Sequence, residues 1–510
     1  MDKPSMGSKA SKSKVTKELC AALGGATSAL EEAVEGRLKA WLGVESPSEF
    51  RMMELEVTHL AREAADRVMA ILLRGKLGDA DFQRRCSRAA RAGAEQKLRS
   101  GAAREVSVTL LGGAEVRVKV GYLRPDLRGR PGRKRGHGRR GRGGAGLYPA
   151  LAALGIWCGV TPALADEVSR QVTDSDSVRT GQAALIRRGI DLGYKQTLSL
   201  VNSFGRRMVE QRTAWLAEAL LADLREGPLA GKRVVVGIDG GRIRERVTLS
   251  GRRNAKTGHH RFEAPWREPK LFTIYLIDDE GKVQDSFRPV YDGTMADCDA
   301  LFVMLGGYLR ALGAHEAKEL VVVGDGARWI WDRIDQLAET VGIAQEKVRQ
   351  IVDWFHAVEV LEKVADARAH WPEGERARWL GRAKDQLHAG KIDGLLALFE
   401  GLAVGRRAAA VNKHRDYFEG NAARMTYQAF AAKKLPNGSG AIESAIRRVV
   451  NLHMKGNGTF WLIENAEAML MLRSYLKAGR FDDLVVWSIA SAAPWWPSTP
   501  SHSSPLGALS

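Results

Sequence analysis

The chain has 510 residues, a net charge of +18 and a pI near 9.8, with 45% apolar and 27% charged residues. That length allows two to four domains with cores of their own, and that composition excludes a wholly disordered or collagen-like chain. No apolar stretch approaches the ~18 residues of a membrane span, the N-terminus lacks the apolar core of a secretory signal, and the excess of positive charge points to nucleic acid as partner.

Residues 1 to about 17 are rich in Ser and Lys and read as disordered. Amphipathic helices are expected from there to about residue 100, one opening at Ser46-Pro47-Ser48-Glu49 with capping-box spacing. Alternating valines at 106, 108 and at 116, 118, 120 about Gly112-Gly113 predict a β-hairpin. Helices plus hairpin make a first region, 1–122. Residues 123–146 form an Arg/Gly-rich linker that cannot bury a core; Arg133, Lys134, Arg135, Arg139 and Arg140 are its candidate phosphate contacts. A helical region, 147–230, follows. Within it a helix, a Gly-containing turn near Gly189 to Gly193 and a second helix resemble a helix-turn-helix, with Lys195 at the start of the DNA-reading helix. Most helix–Gly–helix stretches are plain structural hairpins, and that alternative stays open.

From Lys232 the period changes. The run 234–238 ends at Asp239, strands are expected at 243–249, 271–277 and 282–290, and a helix at 297–312 leads to the strand 320–324 and Asp325. A helix at 329–339 then leads to a strand at 348–352 that ends in Asp353-Trp354-Phe355-His356. A helical stretch, about 357–436, precedes the helix carrying Glu443, and residues 481–510 read as a C-terminal tail. Three strands, helix, strand, helix, strand is the order of an RNase H-like core. The fold class expected is therefore α/β: an RNase H-like catalytic domain, 231–480, with an inserted all-helical subdomain, preceded by a mainly helical region with a β-hairpin.

Each acid has an ordinary reading by itself. Asp before Gly at a strand end is commonly a turn residue, and a Glu in a helix's first turn complements the dipole. The order GIDGG, GDGA, then a Glu on a helix beyond a helical insertion is what singles them out. The segments GIDGGRIR, PWREPKLFTIY, GDGARWIW, DWFHAVEVL, NGSGAIESAIRRVVNLHMKGNGTFW and ENAEAMLMLRS, spanning about 230–480, resemble the insertion-sequence DDE transposases of the ISKra type, in the neighbourhood of the Mutator-like transposases. The resemblance implies that Asp239, Asp325 and Glu443 are the catalytic, metal-binding triad. It also places Asp353 and His356 beside the active site, although DWFH alone reads as an N-cap aspartate with a packed or capping histidine. Relatives carry cysteine pairs of a zinc ribbon where this chain has Arg124–Arg142. The four cysteines here are scattered, so no zinc is expected.

In-line displacement at a phosphodiester needs charge on both the attacking and the leaving oxygen, which two metal ions about 3.5–4 Å apart supply. Oxygen ligands suit Mg²⁺, with Mn²⁺ a substitute. The expected function is a DNA transposase that cleaves at the ends of an insertion sequence and joins the 3′-OH to target DNA. The alternatives are another RNase H-like nuclease or an inactive DNA-binding derivative. Arg447 and Arg448, one turn beyond Glu443, are within reach of phosphates. The expected partners are double-stranded DNA and further copies of the chain assembled on it, with no membrane involvement and a cytoplasmic, nucleoid-associated location.

Overall fold

A computed structural model describes residues 6–126, 146–256, 258, 260–491, 493, 495–496 and 505–506. The chain divides into two compact units, residues 1–204 with 485–503, and residues 205–484 with 504–510.

The first unit is mainly helical. Its helix Pro47–Gly78 opens with the capping box, Ser46 accepting from the Glu49 N–H and Glu49 closing back on the Ser46 N–H. The hairpin Arg104–Thr109 with Glu115–Val120 pairs Val106 with Val118 and Val108 with Val116, burying its apolar face against Leu73, Leu77, Phe82 and Cys86. Asp66, from helix Pro47–Gly78, accepts the N–H groups of Gly112 and Ala114 at 3.0 and 2.9 Å and so holds the hairpin's tip. Helices Pro162–Asp174 and Val178–Arg187 follow, and the long helix Tyr194–Leu221 begins here and continues into the second unit.

The second unit is mixed α/β around one five-stranded sheet. Its strands are β1 (Arg233–Gly240), β2 (Lys270–Ile277), β3 (Val290–Thr294), β4 (Glu319–Gly324) and β5 (Val348–Val352), in the order β3-β2-β1-β4-β5. β2 is antiparallel to both its neighbours, whereas β1, β4 and β5 run parallel. The central strands are buried on both faces, which is why their β-branched runs are continuous rather than alternating. Helix α1 (Cys298–Ala311) crosses from β3 to β4, and α2 (Trp354–Asp366) leaves β5. Short helices from Glu375 to Ala432 then form the insertion, whose Trp379, Phe399, Phe418 and Tyr427 share the sheet's core. The chain returns through α3 (Gly440–Ile446), a π-helical turn Arg447–Asn451 and α4 (Ile463–Lys477).

Several sequence expectations are corrected. A helix runs over Met6–Leu42, where a disordered start was expected; Ala, Lys and Ser without an interior proline let it extend back from the apolar stretch. The 243–249 run does not join the sheet but forms two short ladders with residues 262–267. The third strand is Val290–Thr294, not 282–290. The helix at 329–339 is two, Arg328–Trp331 and Ile334–Val341, and the segment read as a tail from 481 opens with helix Phe481–Ala490. The basic cluster Arg133, Lys134, Arg135, Arg139 and Arg140 lies outside the described residues.

Candidate active site

β1 ends in Asp239, and Asp325 follows β4 directly. Val323 pairs with Gly237 across these parallel strands, so Asp239 and Asp325, each two residues further on, leave the same end of the sheet side by side. Gly237 also fixes the third acid. A Cβ there would sit 2.9 Å from the Ile442 Cβ, so only glycine lets α3 pack this closely on β1. Side chains two apart in a strand share a face, which puts Asp239 on the face that α3 covers, with Glu443 next to Ile442.

Electrostatics reports the same proximity. Burial pushes the Asp239 carboxyl up to about 7; the Gly240 N–H draws it down, and the negative charges of Asp325, Glu443 and Glu268 add to the rise. Each member of the triad is anchored through one oxygen. Asp239 Oδ1 accepts the Gly240 N–H at 2.7 Å, Asp325 Oδ1 the Ala327 N–H at 2.9 Å, and Glu443 Oε1 the Ser439 hydroxyl at 2.8 Å. The other oxygen of each has no hydrogen-bond partner among the described residues, and none of the three acids is in an ion pair there. Three carboxylates, each with an oxygen unpartnered among the described residues, are hard donors of the kind a divalent metal suits. The carboxylates are not drawn together into a metal-ligating cluster among the described residues.

Four supporting residues escaped sequence reasoning. Glu268 lies just before β2, its Oε1 2.4 Å from where a Gly240 Cβ would be; the only signal was an acid inside PWREPK. Tyr417, from the insertion, donates its hydroxyl to the Asp325 carbonyl at 3.1 Å, and Asn421 Nδ2 donates to the Gly326 carbonyl at 3.2 Å. Gly326 has φ +84°, and a Cβ there would strike the Tyr417 ring at 2.7 Å, so the Gly after Asp325 serves both the turn and the clamp. Ser439 completes the set by fixing Glu443.

Asp353 is fully buried and caps α2, its Oδ1 accepting the His356 N–H at 2.6 Å while its Oδ2 accepts the Ser439 N–H. It thus reaches Glu443 through Ser439. The His356 ring is 40% exposed, with Glu359 at 4.0 Å its nearest carboxylate. Arg448 donates to the Tyr291 hydroxyl at 3.0 Å and to the Ser444 carbonyl at 3.3 Å, whereas Arg447 is exposed. Lys195 is exposed in the first turn of helix Tyr194–Leu221 in the other unit.

No helix among the described residues is long and apolar enough to cross a membrane. No protein-family model matches the chain, and no curated protein matches it. Among solved structures it is similar to a Drosophila P element transposase strand transfer complex, at 16% identity over 63% of this chain and with a TM-score of 0.20. The chain spans 64% of the length of that structure's chain.

Proposed function

We propose that the protein is a DNA transposase of the DDE type, akin to the ISKra insertion-sequence enzymes, that cleaves DNA at its element's ends and joins the 3′-OH to target DNA. The observation that carries this reading is the register that brings Asp239 and Asp325 off the carboxyl ends of a parallel strand pair, on which the helix bearing Glu443 packs at Gly237. Burial, with the neighbouring acids, pushes the Asp239 carboxyl up to about 7, and perturbed acids cluster at functional sites, which open α/β sheets place at this end of their strands. The strand order β3-β2-β1-β4-β5 with β2 antiparallel supports an RNase H-like core.

Asp239, Asp325 and Glu443 would hold Mg²⁺, or Mn²⁺, whose charge stabilises the attacking and leaving oxygens of a phosphodiester. The protein's own part is positional. Gly237 seats α3, Ser439 and Asp353 hold Glu443, and Tyr417 with Asn421 holds the turn after Asp325. Each carboxylate thereby keeps one oxygen tied and one without a hydrogen-bond partner among the described residues. Arg447 and Arg448 supply positive charge one turn from Glu443 for the phosphates on either side of the cleaved bond. Asp353 acts as a positioning residue in this scheme, and the His356 ring is exposed in the first turn of the helix that Asp353 caps.

The test is a supercoiled plasmid carrying the element's ends, incubated with the purified chain and Mg²⁺. Nicks bearing a 3′-OH are expected, and a chelator should abolish them. Asp239→Asn, Asp325→Asn and Glu443→Gln should each cut at least a thousandfold more slowly while binding DNA as before, since affinity comes from Lys and Arg contacts rather than from the acids. Near-normal nicking by any one variant removes that residue from its role, and no nicking by the wild type under any metal overturns the reading.

A further inference from the structure

Two residues beyond Asp239 the chain leaves the sheet and returns only at Pro269. The excursion is an arm made of two ladders, Ile243–Arg244 with Trp266–Arg267 and Val247–Thr248 with Phe262–Glu263. Between 242 and 267 it carries eight Arg and Lys against two Glu, and Glu245 is already taken by Arg267 at 2.5 Å. Among the described residues each ladder of the arm is only two-stranded, yet it displays large rings: Trp266 is 46% exposed and Phe262 38%. Guanidinium groups lie over both. Arg242 and Arg244 sit 5.3 and 4.8 Å from the Trp266 ring, and Arg246 sits 4.5 Å from the Phe262 ring.

The arm's root is held on its other side by the chain beyond Glu443. The Trp461 N–H donates to the Arg244 carbonyl at 2.9 Å, the Arg246 N–H donates to the Trp461 carbonyl at 2.7 Å, and Phe460 meets Phe262 edge-on at 5.2 Å. The rings and their arginines are therefore presented from a braced surface that starts beside the acid cluster.

Flat apolar rings interleaved with arginines offer two things at once, π faces and phosphate contacts. A duplex uses only the second, because its bases already stack on one another. An unpaired strand uses both, each exposed base gaining a stacking partner whatever its identity. We propose that the arm binds unpaired nucleotides of single-stranded DNA next to the phosphate being cut, with Trp266 and Phe262 as stacking platforms and Arg242, Arg244 and Arg246 as phosphate contacts. This rests on the reading of the protein as a DNA-acting enzyme and adds to it the strand state recognised at the site.

The experiment measures binding of the full-length chain, in chelator so that no cleavage occurs, to fluorescent oligothymidylate and to a blunt duplex, at several salt concentrations. Trp266→Ala and Phe262→Ala should each weaken oligothymidylate binding by about tenfold or more, the range of one stacked base, with duplex binding changed less than about twofold. Trp266→Phe, which keeps a ring, should recover most of the loss. Unchanged duplex binding in the same variants also certifies their folding. Equal losses on both DNAs, or none on either, overturn the arm's proposed role and leave the nicking activity standing. Failure of the wild type to bind any DNA overturns the transposase reading as well.

Discussion

Two acid clusters of the second unit are treated in opposite ways. Asp292, on β3, and Glu467, on α4, close on Arg212 of the long helix: Arg212 Nη1 is 2.7 Å from Asp292 Oδ1, Nη2 bonds Glu467, and the Tyr308 hydroxyl donates to Asp292 Oδ2 at 2.7 Å. Burial works strongly against the Arg212 charge, but Asp292 and Glu467 outweigh it and hold the guanidinium protonated above its ordinary range. Two strands across, at the same end of the sheet, sit Asp239, Asp325 and Glu443, in no ion pair among the described residues, with the Asp239 carboxyl raised first by burial and further by the charges of its neighbours. One set of acids is neutralised by a cation of the fold itself; the other is not, which is the arrangement the proposed metal-binding role requires.

The comparison breaks most readily at the acids themselves. Asp325→Asn and Glu443→Gln should lose nicking by orders of magnitude without a fall in melting temperature, because removing one of several repelling charges costs the fold nothing. Arg212→Met should do the reverse. It strands the buried Asp292 carboxylate and leaves the half-buried Glu467 without its cation, and should destabilise by about 3–5 kcal/mol, with activity falling only in step with folded protein; adding Asp292→Asn should restore part of the stability. A chemical-denaturation series resolves both, and an Arg212→Met protein as stable as the wild type would undo the contrast.

A pH titration sharpens it. Asp239 has a folded value near 7 against about 3.9 unfolded, so the native state holds a proton the unfolded chain has released. Its contribution to stability is fully present below about pH 4 and is lost as the pH rises through about 7. In chelator, the wild type should lose on the order of 2 kcal/mol relative to Asp239→Asn across that window. Parallel curves for the two proteins would show that the carboxyl is not perturbed.

Smaller effects separate Asp353 from His356. Asn caps a helix about as well as Asp, which from sequence makes Asp353→Asn a clean test of charge. In the structure both carboxylate oxygens accept an N–H, and Asn has only one oxygen to offer. Asp353→Asn should therefore cost about 1–3 kcal/mol and lower activity by loosening Ser439 and Glu443. His356→Ala, at an exposed ring, should change stability by less than about 0.5 kcal/mol. An activity loss of orders of magnitude in that stable variant would place the imidazole in the reaction.

What was legible follows from how local the cause is. The runs ending in Asp239 and Asp325 announce buried strands because both faces need apolar residues, and Ser46 to Glu49 announces its helix because a capping box is complete within four residues. The 243–249 run alternates as a sheet strand does, but alternation cannot say which chain it pairs with, and Gly240, Gly241 and Pro269 turn it out into the arm. Val290–Thr294 was misplaced because Asp292 is a poor strand residue until Arg212, 80 residues earlier, neutralises it. Tyr417 and Asn421 could not be found at all. Their contacts to the turn after Asp325 span more than 90 residues, and nothing beside them in the chain marks them out.

The π-helical turn Arg447–Asn451, where the Leu452 N–H reaches back five residues to Arg447 at 3.0 Å, amounts to one residue more than an α-helix needs. Each helical residue advances the chain by about 100°, so the surplus sets the phase between Glu443 upstream and Trp461 downstream. Insertions and deletions are therefore not equivalent along this stretch. Losing one residue within the wide turn would regularise the helix and swing one partner to a different side, whereas gaining or losing residues in the 455–459 loop could be absorbed. Across descendants of this gene, length variation should gather in that loop and spare the five residues before it.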